Sequence, residues 1–463
     1  MKILFKKPLQ LFALGVSLSL MTTTARSETL ADALVSAYNH SGLLEQNRAL
    51  LRAADEGVAS ASAALLPIVN WSAQTQRTVG TVQAQARGSN ATIGVNAELL
   101  LYDFGGSAAS IETARESVFA TRSQLLSIEQ QIMLRAVRAY FNVRSTSKFV
   151  ALRENNLRLL TQELRAAKDR FDVGEVTRTD VALAEARLAQ ARSGLANAQG
   201  DLLRARAEYA NVIGHQPKNL AQLPRLPRIS GNVASAQSQA VRNHPDMIAA
   251  QHQVASVEYA IKNSEAALKP KIKLTGSLGL QNDLVSGGFT NNATVGLGVS
   301  GPIYNGGRIS SGVRRAMAQR DAMRANLHVV RHNLQQSVAN AYAFYSTVNA
   351  ALNASQQQIR ASRVAFRGVR EEASLGARTT LDVLNAENEL LNAEAALIST
   401  QTEQYIAAYT ILSSTGSLTA KRLGLNVQQY DPEAYYRLVK DGVAKRSKQG
   451  AQLDKVLQAL QKD

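Results

Sequence analysis

The sequence predicts a mixed, predominantly helical fold with four short β-strands. It also predicts that the fold consists of two tandem copies of one structural unit. Three observations predict this fold. The phrase DVGEVTRTDVALAEARL, which contains Gly174, returns as SLGARTTLDVLNAENELL, which contains Gly376, 202 positions later. Long stretches without proline keep apolar residues at steps of three and four, the spacing of coiled coils. Four other segments alternate apolar and polar residues, as strands with two different faces do.

Residues 1–27 are predicted to be a signal peptide for export. Three lysines open the segment, LQLFALGVSLSLM is its apolar stretch, and ARS supplies a small-residue cleavage site. The apolar stretch of about 13 residues is shorter than the ~20 that a membrane-spanning helix needs. The chain has no cysteine, which excludes disulfides, thiolate metal sites and a lipidated N-terminal cysteine.

The formal net charge is +16 at pH 7, which in a cytosolic protein would suggest nucleic acid as a partner. Here the basic residues are scattered among Gln, Asn and Glu, and no patch alternates Lys or Arg with aromatic residues. For an exported chain we therefore expect no nucleic-acid partner.

The repeat divides the mature chain into two structural units, residues 28–216 and residues 233–420. Between them, residues 217–232 contain three of the nine prolines and little periodicity, as expected of a linker. Residues 421–463 form a basic C-terminal segment. The sequence leaves open whether this segment is a helical collar or a disordered tail.

The helices of each unit are expected to follow one plan. A first helical stretch covers about 29–65 in one unit and 234–268 in the other, and two strands follow it. Then comes a very long helix, because no proline interrupts the chain from Gly106 to Val173. At 1.5 Å per residue this helix would extend on the order of 100 Å. After a glycine break, a second helix with alternating large and small residues would return beside it as an antiparallel hairpin.

The strands are expected in IVNWSAQTQ, ATIGVNAELLLY, KIKLTGSLGL and ATVGLGVS. These segments begin at Ile68, Ala91, Lys271 and Ala293. The alternation fits strands of an outer-membrane barrel, apolar outward and polar inward, or an ordinary half-buried sheet. The export signal favours the membrane.

Two pairs of adjacent glycines, Gly105–Gly106 and Gly306–Gly307, follow predicted strands and precede predicted helices. They lack the Lys-Ser/Thr of a phosphate-binding loop. We therefore expect them to form flexible strand-to-helix turns.

The glycine break has a local explanation. Gly174 and Gly376 can adopt the positive φ that ends a helix. The segments that end at Asp180 and Asp382 then fit capping boxes at the start of the next helix. Capping alone would account for both aspartates.

Together these features resemble the TolC-type outer-membrane channel family. The resemblance covers about 29–420, and LGARTTLDVLNAENEL and IYNGGRI are among the family's most recognisable phrases. It implies a homotrimer whose three sets of four strands close a twelve-stranded β-barrel in the outer membrane of a Gram-negative bacterium. The helices would continue into the periplasm as a long coiled-coil α-barrel.

The resemblance also implies a role and partners. The trimer would be the exit duct of an export system for type I protein secretion, multidrug efflux or both. It would contact outer-membrane lipid, a periplasmic adaptor protein and an inner-membrane pump of the ABC or RND type. No catalytic residues, cofactor or metal site are expected.

The resemblance places a constriction at the tips of the helical hairpins. Asp382 would ring the narrowest point, whereas Asn385 replaces the family's second acidic residue. Glu389 shares their helical face and could restore negative charge. Three carboxylates around a threefold axis would favour cations and raise one another's pKa.

Polar links between the tips would hold this constriction shut. Arg378 occupies the position of the family's linking arginine, and Thr179 and Asp180 would face it from the first hairpin. The family's linking tyrosine is replaced by Ala373. Alanine has no hydroxyl group, so we expect that half of the link to be missing.

A structural or adhesive coiled-coil protein of the periplasm, without a pore, is the alternative function. It would explain the long helices. It would not explain four alternating segments placed alike in both units.

Overall fold

The computed structural model describes residues 27–78, 88–229, 231–284 and 287–439, and the single positions 452 and 455. The predicted signal peptide, apart from Ser27, lies outside the described residues. So does the predicted C-terminal segment beyond Val439, apart from the two single positions. Within the described ranges, no helix combines the length and apolarity needed to cross a membrane.

The described helices follow the predicted order. The helices of the first unit are α1 (Leu30–His40), α2 (Gly42–Ala63), α3 (Gly106–Asp172) and α4 (Arg178–Ile213). Those of the second unit are α5 (Val233–Asn243), α6 (Pro245–Ala266), α7 (Arg308–Ser374) and α8 (Thr380–Ser414), and α9 (Pro432–Val439) follows. Both α3 and α7 contain 67 residues, so the prediction of one very long helix in each unit is confirmed.

Each unit's first helical stretch, predicted as one helix, is two helices. In the first unit, the hydroxyl of Ser41 accepts a hydrogen bond from the backbone N–H of Leu44 at 3.3 Å and starts α2. In the second, Pro245 starts α6 and restricts His244 to an extended conformation. The single stretches predicted for 29–65 and 234–268 were wrong in this respect, because these local start signals outweigh the continuous apolar pattern.

The strands form one antiparallel sheet in the order β1-β2-β3-β4. Their bounds are β1 (Ile68–Thr78), β2 (Gly88–Tyr102), β3 (Lys271–Asp283) and β4 (Phe289–Ser300). All four lie where the alternating segments predict them. The central pairing joins β2 of the first unit to β3 of the second. Within the described residues, β1 and β4 each pair with one strand only, so both edges of the sheet are open.

The register gives the sheet one apolar and one polar face. Trp71 pairs with Val95, and Val95 pairs with Leu278, so apolar side chains line up across strands. On the other face, Ser277 pairs with Thr294. The apolar face is uncovered in this protomer: 77% of Trp71 is exposed.

The main core lies where the two units meet below the sheet. Its largest fully buried side chains include Tyr140, Phe141 and Tyr209. The segment after α8 closes this core, and α9 packs on α2, where the Tyr435 hydroxyl donates to Glu56 at 2.7 Å. Beyond the core, the two hairpins α3–α4 and α7–α8 extend side by side as a stem.

Candidate functional site

The stem ends in two hairpin tips of the same construction. Gly174 has φ +83° and Gly376 has φ +81°, a conformation that only glycine adopts without strain. At the first tip the N–H of Glu175 donates to the carbonyl of Arg170 at 2.9 Å, which satisfies one of the last acceptors of α3. Both glycines therefore lie at the chain reversals.

Capping boxes start the returning helices. The Oγ1 of Thr177 accepts from the N–H of Asp180 at 3.3 Å, and the Thr177 N–H donates to the Asp180 carboxylate at 2.9 Å. At the second tip, the corresponding distances between Thr379 and Asp382 are 3.2 Å and 3.0 Å. Asp180 and Asp382 are thus both engaged in holding a helix start.

These bonds lower the pKa of both aspartates. For Asp382 the backbone N–H of Thr379 is the larger cause, followed by its hydroxyl. For Asp180 the hydroxyl of Thr177 comes first. Both carboxylates are therefore charged at neutral pH in the single protomer. The rise in pKa expected from three neighbouring copies of Asp382 stays a prediction.

Arg378 lies on the second tip and forms an ion pair within the same hairpin. Its Nε donates to Glu372 at 2.8 Å, on the same hairpin. The structure of one protomer does not bring Arg378 together with Thr179 or Asp180. The predicted link between the tips stays a prediction for the assembled protein. Ala373, where the family's tyrosine was expected, is buried against its neighbours.

The two other predicted constriction residues differ in their surroundings. Asn385 accepts a hydrogen bond at 3.3 Å from Nη2 of Arg187, which lies on the first hairpin. Glu389 is exposed. Asn385 therefore connects the two hairpins, a contact that the sequence did not indicate.

Glu387 and Asn156 form a second contact between hairpins that sequence reasoning missed. Both side chains are buried, with 7% and 6% of their surface exposed, and the Asn156 amide donates to Glu387 Oε1. Burial raises the pKa of Glu387 to about 7, although the Asn156 hydrogen bond and Arg187 oppose this rise. The available signal was a carboxylate one turn after Val383, inside the apolar stripe of α8.

The strand-to-helix turns require a correction. Gly105, Gly306 and Gly307 have positive φ, but Gly106 does not and is the first residue of α3. A Cβ at Gly106 would lie 3.2 Å from that of Ala266, so Gly106 permits close packing and is not a flexible turn residue. The residue equivalent to Gly306 is Phe104, whose φ is +56°.

Among the described residues, an ion pair lies on the polar face of the sheet. Lys273 Nζ lies 2.5 Å from Glu98 Oε1, across β2 and β3. Nearby, the hydroxyls of Ser277 and Thr294 share a hydrogen bond at 2.5 Å. In the part of the chain that the structure describes, no three His, Cys, Asp or Glu side chains come together as metal ligands.

The chain is similar to known outer-membrane proteins along nearly its whole length. The family model described as outer membrane efflux protein matches residues 33–215 and again residues 236–417. The outer membrane efflux protein BepC of Brucella suis biovar 1 (strain 1330) is 37% identical over 443 residues, which cover 94% of this chain and 96% of BepC. TolC of Escherichia coli (strain K12) is 24% identical over 428 residues, 89% of this chain and 86% of TolC.

Solved structures share the fold. The crystal structure of the Campylobacter jejuni CmeC outer membrane channel superposes with a TM-score of 0.75 at 17% identity, and the match covers 90% of each chain. The protein is thus an outer-membrane transport protein that extends into the periplasm. With a family model matched over most of its length and a relative at 37% identity, the chain belongs to the outer membrane efflux protein family.

Proposed function

We propose that this protein forms a homotrimeric channel that serves as the exit duct of a tripartite export system. The observation that carries the proposal is the four-stranded sheet, with its uncovered apolar face and its two open edges. In lipid an open edge leaves backbone N–H and C=O groups unpaired, which costs several kcal/mol for each group. The edge strand β1 of one copy must therefore pair with β4 of the next.

Three copies give a barrel of twelve strands, whose polar faces line a water-filled lumen. The long hairpins continue below it as an α-barrel. The recurrence of the same elements from α1–α4 to α5–α8 supports an origin by duplication of one unit. Neither unit closes a barrel alone.

Transport through this duct is passive. An inner-membrane pump of the ABC or RND type supplies the energy, and a periplasmic adaptor joins it to the hairpin tips. The constriction is a ring of Asp382 from three copies, with Asn385 and Glu389 on the same helical face. Arg378 links the tips through Thr179 and Asp180 in the closed assembly.

Small-molecule efflux is the preferred cargo class, because BepC, the relative with 37% identity, is named an efflux protein. Type I protein secretion is the second candidate. The two are separated by deleting the gene: efflux predicts sensitivity to small toxic compounds, whereas secretion predicts loss of one exported polypeptide.

Planar-bilayer recording of the purified full-length protein tests the channel itself. We expect a trimeric mass in detergent and discrete conductance steps. A folded monomer without conductance would instead support the alternative, a structural or adhesive coiled-coil protein without a pore.

A further inference from the structure

The stem contains a buried polar contact where its two hairpins meet. Asn156 lies on α3 and Glu387 on α8, 231 positions apart, and the Asn156 amide donates to the Glu387 carboxyl group. The contact lies about two turns above the start of α8, since Glu387 follows Thr380 by seven residues. It therefore joins the two hairpins of one protomer close to the proposed constriction.

The surroundings of this contact are mainly apolar. Leu160 follows Asn156 by one turn of α3, and Leu384 precedes Glu387 by one turn of α8. Both belong to one buried hydrophobic cluster with Leu188 of α4. A charged carboxylate here loses most of its hydration and gains one hydrogen bond in return, which is unfavourable.

Charged groups on the neighbouring helices only partly offset this cost. Arg153 of α3 and Arg187 of α4 stabilise the carboxylate, whereas Glu163 of α3 repels it. On α7, Arg370 lies 3.3 Å from Glu163 and pairs with it. The net result favours the protonated form of Glu387 when the hairpins are packed together.

Packing of the hairpins is therefore linked to protonation. The pKa of Glu387 is raised from 4.5 to about 7 in the packed state. Below pH 4.5 the group is neutral whether packed or separated, and the packed state keeps its full advantage. As pH rises towards and through 7, the packed state must release a proton and bury a charge, so the advantage is lost. From pH 5 to pH 8 this corresponds to packing that is about tenfold or more weaker.

We propose that Asn156 and Glu387 are positioning residues that form a proton-dependent latch between the hairpins, keeping the duct closed in acid and releasing it at neutral to alkaline pH. The latch rests on the proposed channel function. It differs from the tip link of Arg378, because it lies inside the stem and is already formed within one protomer.

Within the single protomer, the aspartates at the tips do not provide this pH response. Hydrogen bonds from Thr177 and Thr379 keep the pKa of Asp180 and Asp382 below the usual range in the protomer. Glu387 is the described stem carboxylate whose pKa is raised into the neutral range.

The test is the open probability of the full-length trimer in planar bilayers between pH 5 and pH 8. For the wild-type protein we expect an increase of about tenfold or more over this range. Glu387→Gln keeps the size of the side chain and its hydrogen bond to Asn156 but cannot ionise. We expect this variant to stay mostly closed at pH 8 and to lose the pH response.

Glu403→Gln is the matched control. It also removes one carboxylate from α8, sixteen residues further on, but from an exposed position outside the proposed constriction. We expect it to keep the wild-type pH profile. Asn156→Asp is a second variant: a carboxylate beside Glu387 should shift the transition to higher pH.

The outcomes separate the two proposals. Conductance whose pH profile is unchanged in both Glu387→Gln and Asn156→Asp would overturn the latch and leave the channel intact. Absence of conductance in the wild-type trimer at every pH would overturn the proposed function itself. A lost response in Glu387→Gln together with a retained one in Glu403→Gln supports the latch.

Discussion

The Nε of Arg378 donates to the carboxylate of Glu372 at 2.8 Å, so this arginine is held by its own hairpin. In the assembled protein the same guanidinium is proposed to reach Asp180. Glu372 and Asp180 then compete for one cation. The balance between these two carboxylates would bias the tips between an unlinked and a linked state.

This competition predicts opposite effects for its two sides. Glu372→Gln removes the competing charge and should lower the open probability, because Arg378 is freed for the first hairpin. Arg378→Ala should raise it, because the link is lost. Single-channel recording measures both changes. Arg367→Ala, which removes an exposed arginine from the same hairpin, is the control. Equal open probabilities in all four proteins would contradict the link.

The constriction predicts a graded response to multivalent cations. Asp382→Asn should weaken block of the channel by these cations, because it removes the three carboxylates that surround the threefold axis of the proposed trimer. Asn385→Asp should strengthen block, but by less than a full second ring, because Arg187 already contacts this position and would pair with the new charge. Hydrogen bonds lower the pKa of Asp382 in the protomer, and this opposes the rise expected from three neighbouring copies, so the pH at which block of the wild type is lost measures which effect is larger. Block that does not change in either variant would place the constriction elsewhere.

The ion pair on the polar face of the sheet predicts the ion selectivity of the proposed barrel. Glu98 and Lys273 neutralise each other, so the three copies of this pair in the proposed trimer add no net charge to the lumen. Glu98→Gln should leave three unpaired lysines and shift reversal potentials towards anion selectivity. Lys273→Gln should shift them towards cations, and the double variant should return near the wild-type value. Identical reversal potentials in the two single variants would mean that this pair does not line the pore.

The backbone conformation of Phe104 predicts that a glycine variant is more stable than an alanine variant at this position. Its positive φ costs a non-glycine residue about 1 kcal/mol. Its ring, however, packs on Tyr102 at a centroid distance of 4.7 Å. Replacement by alanine or by glycine loses the ring contact equally. Phe104→Gly should therefore be more stable than Phe104→Ala by about 1 kcal/mol in thermal unfolding. A more stable alanine variant would contradict the strain.

Sequence periodicity predicted the elements because each is specified locally. The alternation in ATVGLGVS identifies its strand, and the absence of proline before Val173 permits a helix of 67 residues. The break before Pro245 is also specified locally, because a proline disfavours the helical conformation of the residue before it. Local pattern was sufficient for this level of structure.

Contacts between distant helices could not be predicted in the same way. Asn156 and Glu387 are each polar residues on a helix, and only the packing of α3 on α8 buries them together. Likewise, the choice of Arg378 between Glu372 and the first hairpin depends on side-chain geometry and on neighbouring copies. These are the contacts on which gating is proposed to rest.

The open edges β1 and β4 also constrain how the protein is made. A newly exported copy carries two unpaired strands, and such edges readily join any other extended chain, including a wrong one. If three copies close the barrel, correct insertion has to compete with aggregation, and its yield should depend on how many fresh copies meet in the periplasm. A cell that makes too few would accumulate orphaned chains for its proteases and chaperones to remove.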